Sequence, residues 1–162
     1  MTIAFLGSIL FRDLKPHNVG INSFGIVKIF DFGLAKELKP CDQLGPDLYK
    51  ANRMSGTRRY MASEVFYGSQ YGLPADIYSF TVLLWEVMSL HTPYSGMNIH
   101  EHEMFAYKQK RRPQMKRSWP KPIKVLIKNG WSHNPNRRPK ISHFHDEIKA
   151  YLKSQNVSIN EC

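Results

Sequence analysis

The chain has 162 residues, with 23 Lys and Arg against 13 Asp and Glu, a formal net charge of +10. That length suits one domain or one lobe of a larger domain, and 42% hydrophobic with 22% charged residues excludes wholesale disorder. Two cysteines, Cys41 and Cys162, exclude a disulfide scaffold or a four-cysteine zinc centre and fit a reducing compartment, while no apolar run reaches the roughly 18 residues of a membrane span.

Residues 1–10 are apolar but lack the basic flank of a signal peptide, so a cytoplasmic location is expected. Residues 19–22 and 26–30 are short β-prone runs around the turn Ser23-Phe24-Gly25, and they predict a hairpin. Residues 31–64 carry Gly33, Pro40, Gly45, Pro46 and Gly56 without a sustained period, which predicts one long functional loop. Residues 76–90 are apolar on nearly every side, as a buried central helix is. A further helix starts near Pro122 and stops around Asn129-Gly130, and Ile141, Phe144, Ile148, Tyr151 and Leu152 mark a last amphipathic one. The expected class is mainly α with a small β-hairpin.

Twelve of the Lys and Arg residues fall between Lys108 and Lys140, where there is no Asp or Glu. Such a run attracts polyanions, but it comes without a nucleic-acid motif and with few aromatics, so a solvated helical face is expected and nucleic acid is not the expected partner. His100 with His102, and His143 with His145, stand two apart; on a helix that spacing separates the side chains, and all four are expected at the surface rather than on a metal. Cys41 is expected to be a free thiol.

The hairpin brings chemistry together. Asn18 and Asp31 are equidistant from a centre between Phe24 and Gly25, so antiparallel pairing returns Asp31 to the neighbourhood of Asn18 and sets two hard oxygen ligands side by side. Asp13 and Lys15 lie in the loop that feeds it. A carboxylate base, an ammonium and two oxygen ligands are what a Mg-bound phosphate and a hydroxyl nucleophile require.

Arg12-Asp13-Leu14-Lys15-Pro16-His17-Asn18 followed by Asp31-Phe32-Gly33 resembles the catalytic loop and metal-binding motif of eukaryotic protein kinases. The resemblance continues through Gly56-Thr57-Arg58-Arg59-Tyr60-Met61-Ala62-Ser63-Glu64, then Asp76-Ile77-Tyr78-Ser79-Phe80 with Trp85-Glu86, then Trp131, Pro135 and Arg138-Pro139. It covers residues 5 to 153 and is similar to the C-terminal lobe of Ser/Thr kinases of the tyrosine-kinase-like group. It implies a partial kinase domain over 1–153 and a tail over 154–162.

The resemblance also implies roles. Asp13 would take or orient the substrate hydroxyl proton, and Lys15 would neutralise the transferring phosphoryl group of ATP. Asn18 and Asp31 would hold Mg2+, and Thr57 would help select Ser/Thr acceptors on a protein substrate. Asp76 would accept N–H bonds from the catalytic loop, or simply cap its helix. Glu64 and Arg138 would form a buried ion pair. Arg12 implies control by an activation-loop phosphate, with Ser55 and Tyr49 as candidates.

Four positions depart from the pattern. Phe11 replaces the histidine of His-Arg-Asp, Gly20 a leucine expected under adenine, Ser63 the proline of Ala-Pro-Glu, and Thr81 a glycine of the central helix. Gly20 is expected to leave a poorer adenine floor. Residues 5–10 look like the tail of the helix and strand leading into the catalytic loop. The 162 residues hold no Gly-x-Gly-x-x-Gly strand, so the N-terminal lobe, or a larger parent chain, is an expected partner, and this chain by itself is expected to be inactive. The competing reading is a kinase-derived scaffold that binds without catalysing.

Overall fold

The computed structural model describes residues 8–46, 48–49 and 55–157. Residues 5–7, Cys162 and the expected tail beyond 157 lie outside them.

Strand β1 (Ser8–Leu10) leads into the loop at 11–15, and a 3-10 turn, Pro16–Asn18, feeds the hairpin β2 (Val19–Ile21) and β3 (Val27–Ile29). Asn22 shapes the turn: its Oδ1 accepts from the N–H groups of Phe24 and Ile26. The left-handed φ that the turn needs falls on Gly25, which tolerates it. The register pairs Val19 with Ile29, so the hairpin axis passes through Phe24. Asn18 therefore faces Phe30, whose N–H reaches Asn18 O at 3.0 Å, and Asp31 comes one residue later than the symmetric pairing predicts.

The segment expected as one long loop contains three more strands. β4 (Lys36–Leu38) returns to pair antiparallel with β1, and β5 (Gln43–Gly45) pairs with β6 (Leu48–Tyr49). Strands of two or three residues show no alternation, and β4 finds its partner far back in the sequence, so neither pairing leaves a local signal. Cys41 is a free, exposed thiol in the turn between β4 and β5.

The remainder is helical. A single turn, α1 (Ser63–Phe66), precedes the central α2 (Leu73–Ser89), which starts three residues before the sequence reading, with Pro74 in its first turn. α3 (Ile99–His102) continues as a π turn over Glu103–Lys108, then α4 (Lys121–Gly130) and α5 (Ile141–Ser154) complete the lobe. The sequence reading missed α3, although Asn98 and Glu101 form a reciprocal capping box.

α2 is the axis of the core. Phe80 meets Phe144 of α5 edge-on at 5.4 Å, and Val82, Leu126 and Ile127 are almost completely buried. Thr81, where the kinase pattern has glycine, is buried and donates to Ile77 O. The close approach is kept by Gly130 of α4 instead, where a Cβ would collide with Thr81 Oγ1 and the Phe144 ring.

One histidine expectation is corrected. His100 is exposed, but His102 is only 6% exposed, edge-on to the rings of Tyr94 (4.5 Å) and Tyr107 (5.1 Å). The two-residue spacing does put them on different faces, and one of those faces is the core. The basic run likewise is not wholly a solvated face. Arg112 donates to the carbonyls of Ala106 and Trp131 and lies over the Tyr78 ring, bracing the loop ahead of α4. Among the described residues, no helix is long and apolar enough to cross a membrane.

Candidate active site

Arg12 adopts a left-handed conformation, φ 71°, unusual for a residue with a side chain. The half-buried carboxylate of Asp76 holds the loop there: Oδ2 accepts from Phe11 N at 2.6 Å and Oδ1 from Arg12 N at 2.9 Å. Asp76 lies inside the first turn of α2 rather than capping it. Burial raises its pKa, and the two N–H bonds and Arg12 offset this in part. Gly56 closes the other side, because a Cβ at that position would collide with Arg12 O.

This frame aims four donors at Asp13. Its Oδ1 accepts from Thr57 N and Thr57 Oγ1, each at 2.7 Å. Its Oδ2 accepts from Lys15 Nζ at 2.6 Å and from Asn18 Nδ2 at 3.2 Å. Burial raises the Asp13 pKa, but the bonds from Lys15 and Thr57 outweigh it and hold the carboxyl below its ordinary value. Lys15 Nζ also donates to Thr57 Oγ1 at 3.0 Å. Asn18 spends both contacts of its Nδ2 on Asp13, one of them to the backbone O at 2.9 Å, so Oδ1 is the atom it could offer to a metal.

Asp31 is exposed and left-handed, φ 62°, a conformation that Asp tolerates, and its Oδ1 accepts from Gly33 N. Its neighbours Phe30 and Phe32 are about half exposed. Phe32 packs edge-on against Phe11 at 5.3 Å, so the aromatic at the histidine position retains an apolar contact. Asn18 Oδ1 and the Asp31 carboxylate are hard oxygen donors of the kind that suit Mg2+. Among the described residues there is no cluster of three His, Cys, Asp or Glu side chains that could hold a metal.

The sequence reading overlooked Phe30. A Cβ on Gly20 would stand 3.1 Å from the Phe30 ring, so that ring occupies the space a leucine at Gly20 would fill. The sequence carried no signal for it, because only the observed register pairs Gly20 with Lys28 and makes Phe30 the diagonal neighbour.

Glu64 and Arg138, seventy-four residues apart, meet through two hydrogen bonds, Nη1 to Oε1 at 2.5 Å and Nη2 to Oε2 at 3.0 Å. The Arg138 side chain is 0% exposed and Glu64 13%. Arg138 also donates to Ser132 O and Pro74 O and lies over the Tyr78 ring. Arg12 Nε donates to Leu34 O, and its Nη1 stands 3.4 Å from Ser55 Oγ. Tyr49 instead bonds to the backbone of Tyr71.

Comparison with known proteins agrees with this geometry. Residues 3–148 match the protein kinase domain family. The dual specificity protein kinase shkB of Dictyostelium discoideum is 33% identical over 141 residues, which are 86% of this chain and 21% of that protein. The serine/threonine/tyrosine-protein kinase HT1 of Arabidopsis thaliana is 31% identical over 143 residues, 88% of this chain and 35% of that protein. Mitogen-activated protein kinase kinase kinase 7 of Bos taurus is 33% identical over 134 residues, 82% of this chain and 22% of that protein. The chain thus spans about a fifth to a third of the length of these relatives, and it belongs to the protein kinase domain family.

Proposed function

We propose that the chain is the catalytic lobe of a protein serine/threonine kinase, with residues 1–153 forming the lobe and 154–162 a tail. The observation that carries this reading is the Asp13 carboxylate, ionised and aimed by four donors from Lys15, Asn18 and Thr57. In that state it orients a Ser or Thr hydroxyl and accepts its proton as phosphoryl transfer proceeds. Lys15, shared between Asp13 and Thr57, neutralises the transferring group, and Thr57 links acceptor choice to the same carboxylate.

Asn18 and Asp31 are the residues that would hold Mg2+, which when bound neutralises charge on the ATP phosphates. The Phe30 ring over Gly20 would form the floor beneath adenine. Ile21, Phe24, Val27, Phe30 and Phe32 are all exposed, and a smaller lobe, on this chain's longer parent or on a separate one, would cover part of this apolar surface. Ser55 is the activation-loop phosphosite that the Arg12 contact favours, and the setting we propose is cytoplasmic, with proteins as substrates.

The test is phosphotransfer from labelled ATP to Ser, Thr and Tyr peptides by the chain fused to a competent small lobe. Asp13→Asn is expected to lower turnover at least ~10²-fold, the low end for a general base, while circular dichroism is unchanged. Turnover undiminished in Asp13→Asn would place the chemistry elsewhere.

A further inference from the structure

The C-terminal end of α2 opens into a cavity of about 350 Å3, between the loop at 90–98 and the loop at 109–120. Small-molecule sites begin at roughly 300 Å3. Its apolar lining comes from Trp85, Tyr94, Met97, Phe105 and Pro113, its polar lining from Ser89, His91, Thr92, Ser95, Gln114 and Lys116, and no Asp or Glu lines it. None of these residues belongs to the Asp13 cluster.

The walls are braced. Trp85 Nε1 donates to Gln114 O at 3.1 Å, tying α2 to the second loop. Tyr94 packs edge-on against His102 and, at 6.2 Å, against Phe105. Ser89 Oγ accepts from His91 N at 3.1 Å and fixes the turn that leaves α2. The cavity is therefore formed before any ligand arrives, which lowers the ordering cost of binding.

Its rim holds an uncompensated cation. Lys116 Nζ makes one long contact, 3.4 Å to Ser89 O, and pairs with no carboxylate among the described residues. The sequence around it, from Lys108 to Lys140, offers none either. An apolar interior with a single ammonium at its mouth selects against cations and gives a neutral ligand nothing to pair with the charge. One lysine, without an arginine fork or a cluster of N–H donors, matches a single negative charge better than a phosphate.

We propose that this cavity binds a free monocarboxylate with an aliphatic or aryl body, its hydrocarbon against Trp85, Tyr94 and Phe105 and its carboxylate on Lys116. The site is independent of the catalytic reading. The test is calorimetric titration of the 162-residue chain with decanoate, kept below micelle-forming concentrations, beside decanol. Saturable one-to-one binding of decanoate is expected. Lys116→Gln should weaken it about fivefold, the upper end for one solvent-facing ion pair, and decanol should bind the wild type more weakly by a similar factor. Ser95→Trp, which sets an indole at the mouth, should abolish it. Lys128→Gln on α4 and Phe24→Ser on the hairpin should bind as wild type does. Equal affinity for decanol and decanoate, indifference to Lys116→Gln, or the same loss in Lys128→Gln would overturn the proposal. So would saturable binding that survives Ser95→Trp, or no saturable binding at all. Lys116 and Lys128 are exposed, so those two variants keep the test decisive even if Ser95→Trp does not fold.

Discussion

The two parts of the chain are ordered by different means. Among the described residues, the part from Ser8 to Tyr49 buries only Leu10, Leu14 and Leu38 of its hydrophobics, whereas nineteen are buried between Tyr60 and Phe144. Yet ten large hydrophobics of the first part are exposed, Phe24 at 85% and Ile21 at 72%. The helical part owes its stability to burial of that kind, at about 1.5–3 kcal/mol for each fully buried large side chain. The hairpin part is instead held by polar pins that reach into the other half: Asp76 on Phe11 and Arg12, and Asp13 on Thr57. The loop at 11–18 is therefore shaped by the helical core, while the apolar side chains of the hairpin face water.

The largest expected effect on this contrast comes from the core side. Arg138→Ala leaves Glu64 without its two-point partner and removes one of the two guanidinium groups that lie over Tyr78. It should cost about 3–5 kcal/mol, read as a drop in the urea midpoint at constant slope. A shift within about 0.5 kcal/mol would mean that the pair is solvated and that the helical part does not depend on it.

Acid supplies the next effect. Burial lowers the pKa of His102 to about 4, helped by Arg59, Arg112 and Arg58, and its Nε2 has no hydrogen-bond partner among the described residues. In the unfolded chain the same group titrates near pH 6.5. As pH falls from about 6.5 towards 4, the unfolded state therefore takes up a proton that the folded state refuses, and stability is lost in that window, by up to about 3 kcal/mol. His102→Phe keeps an aromatic between Tyr94 and Tyr107 and should flatten that part of the pH profile. An unchanged slope in the variant would show that other groups carry it.

What was legible beforehand follows the same division. The central helix, α4 and α5 announce themselves through sustained apolar periodicity, and the catalytic-loop motif is contiguous. Asp13, Lys15 and Asn18 could therefore be named together from a few adjacent residues. The partners that aim Asp13 and Arg12 lie far along the chain, and the motif order of Thr57 and Asp76 pointed to them only through the kinase resemblance. Three kinds of feature left no such trace. The β1–β4 pairing joins three-residue strands across a long separation. His102 turns inward because tyrosines from another loop and the π turn surround it. Phe30 covers Gly20 because the hairpin axis passes through Phe24, half a residue from where symmetry of the sequence puts it.

Gly130→Ala probes the closest helix contact on a smaller scale. The added methyl collides with Thr81 Oγ1 and the Phe144 ring, so α4 must shift from α2, at about 1–3 kcal/mol for overpacking. Thr81→Ala in the same chain removes one of the colliding atoms and should return part of the loss in thermal denaturation. Losses that simply add would show that Thr81 and Gly130 do not share the contact.

The smallest effect is expected where hydrophobic residues are most conspicuous. Replacing both Ile21 and Phe24 by serine removes two large side chains, but both already face water. The backbone pairing of β2 with β3 and the Asn22 turn persist, because neither uses these side chains. Stability should therefore change by no more than about 0.5 kcal/mol, as for ordinary surface positions. The surface itself changes, since exposed apolar side chains promote association between chains. Light scattering of the double variant should accordingly show less self-association than wild type at equal concentration. A loss of about 2 kcal/mol or more would mean that the chain itself buries these side chains, and the contrast between a self-sufficient helical core and an exposed apolar hairpin would fail.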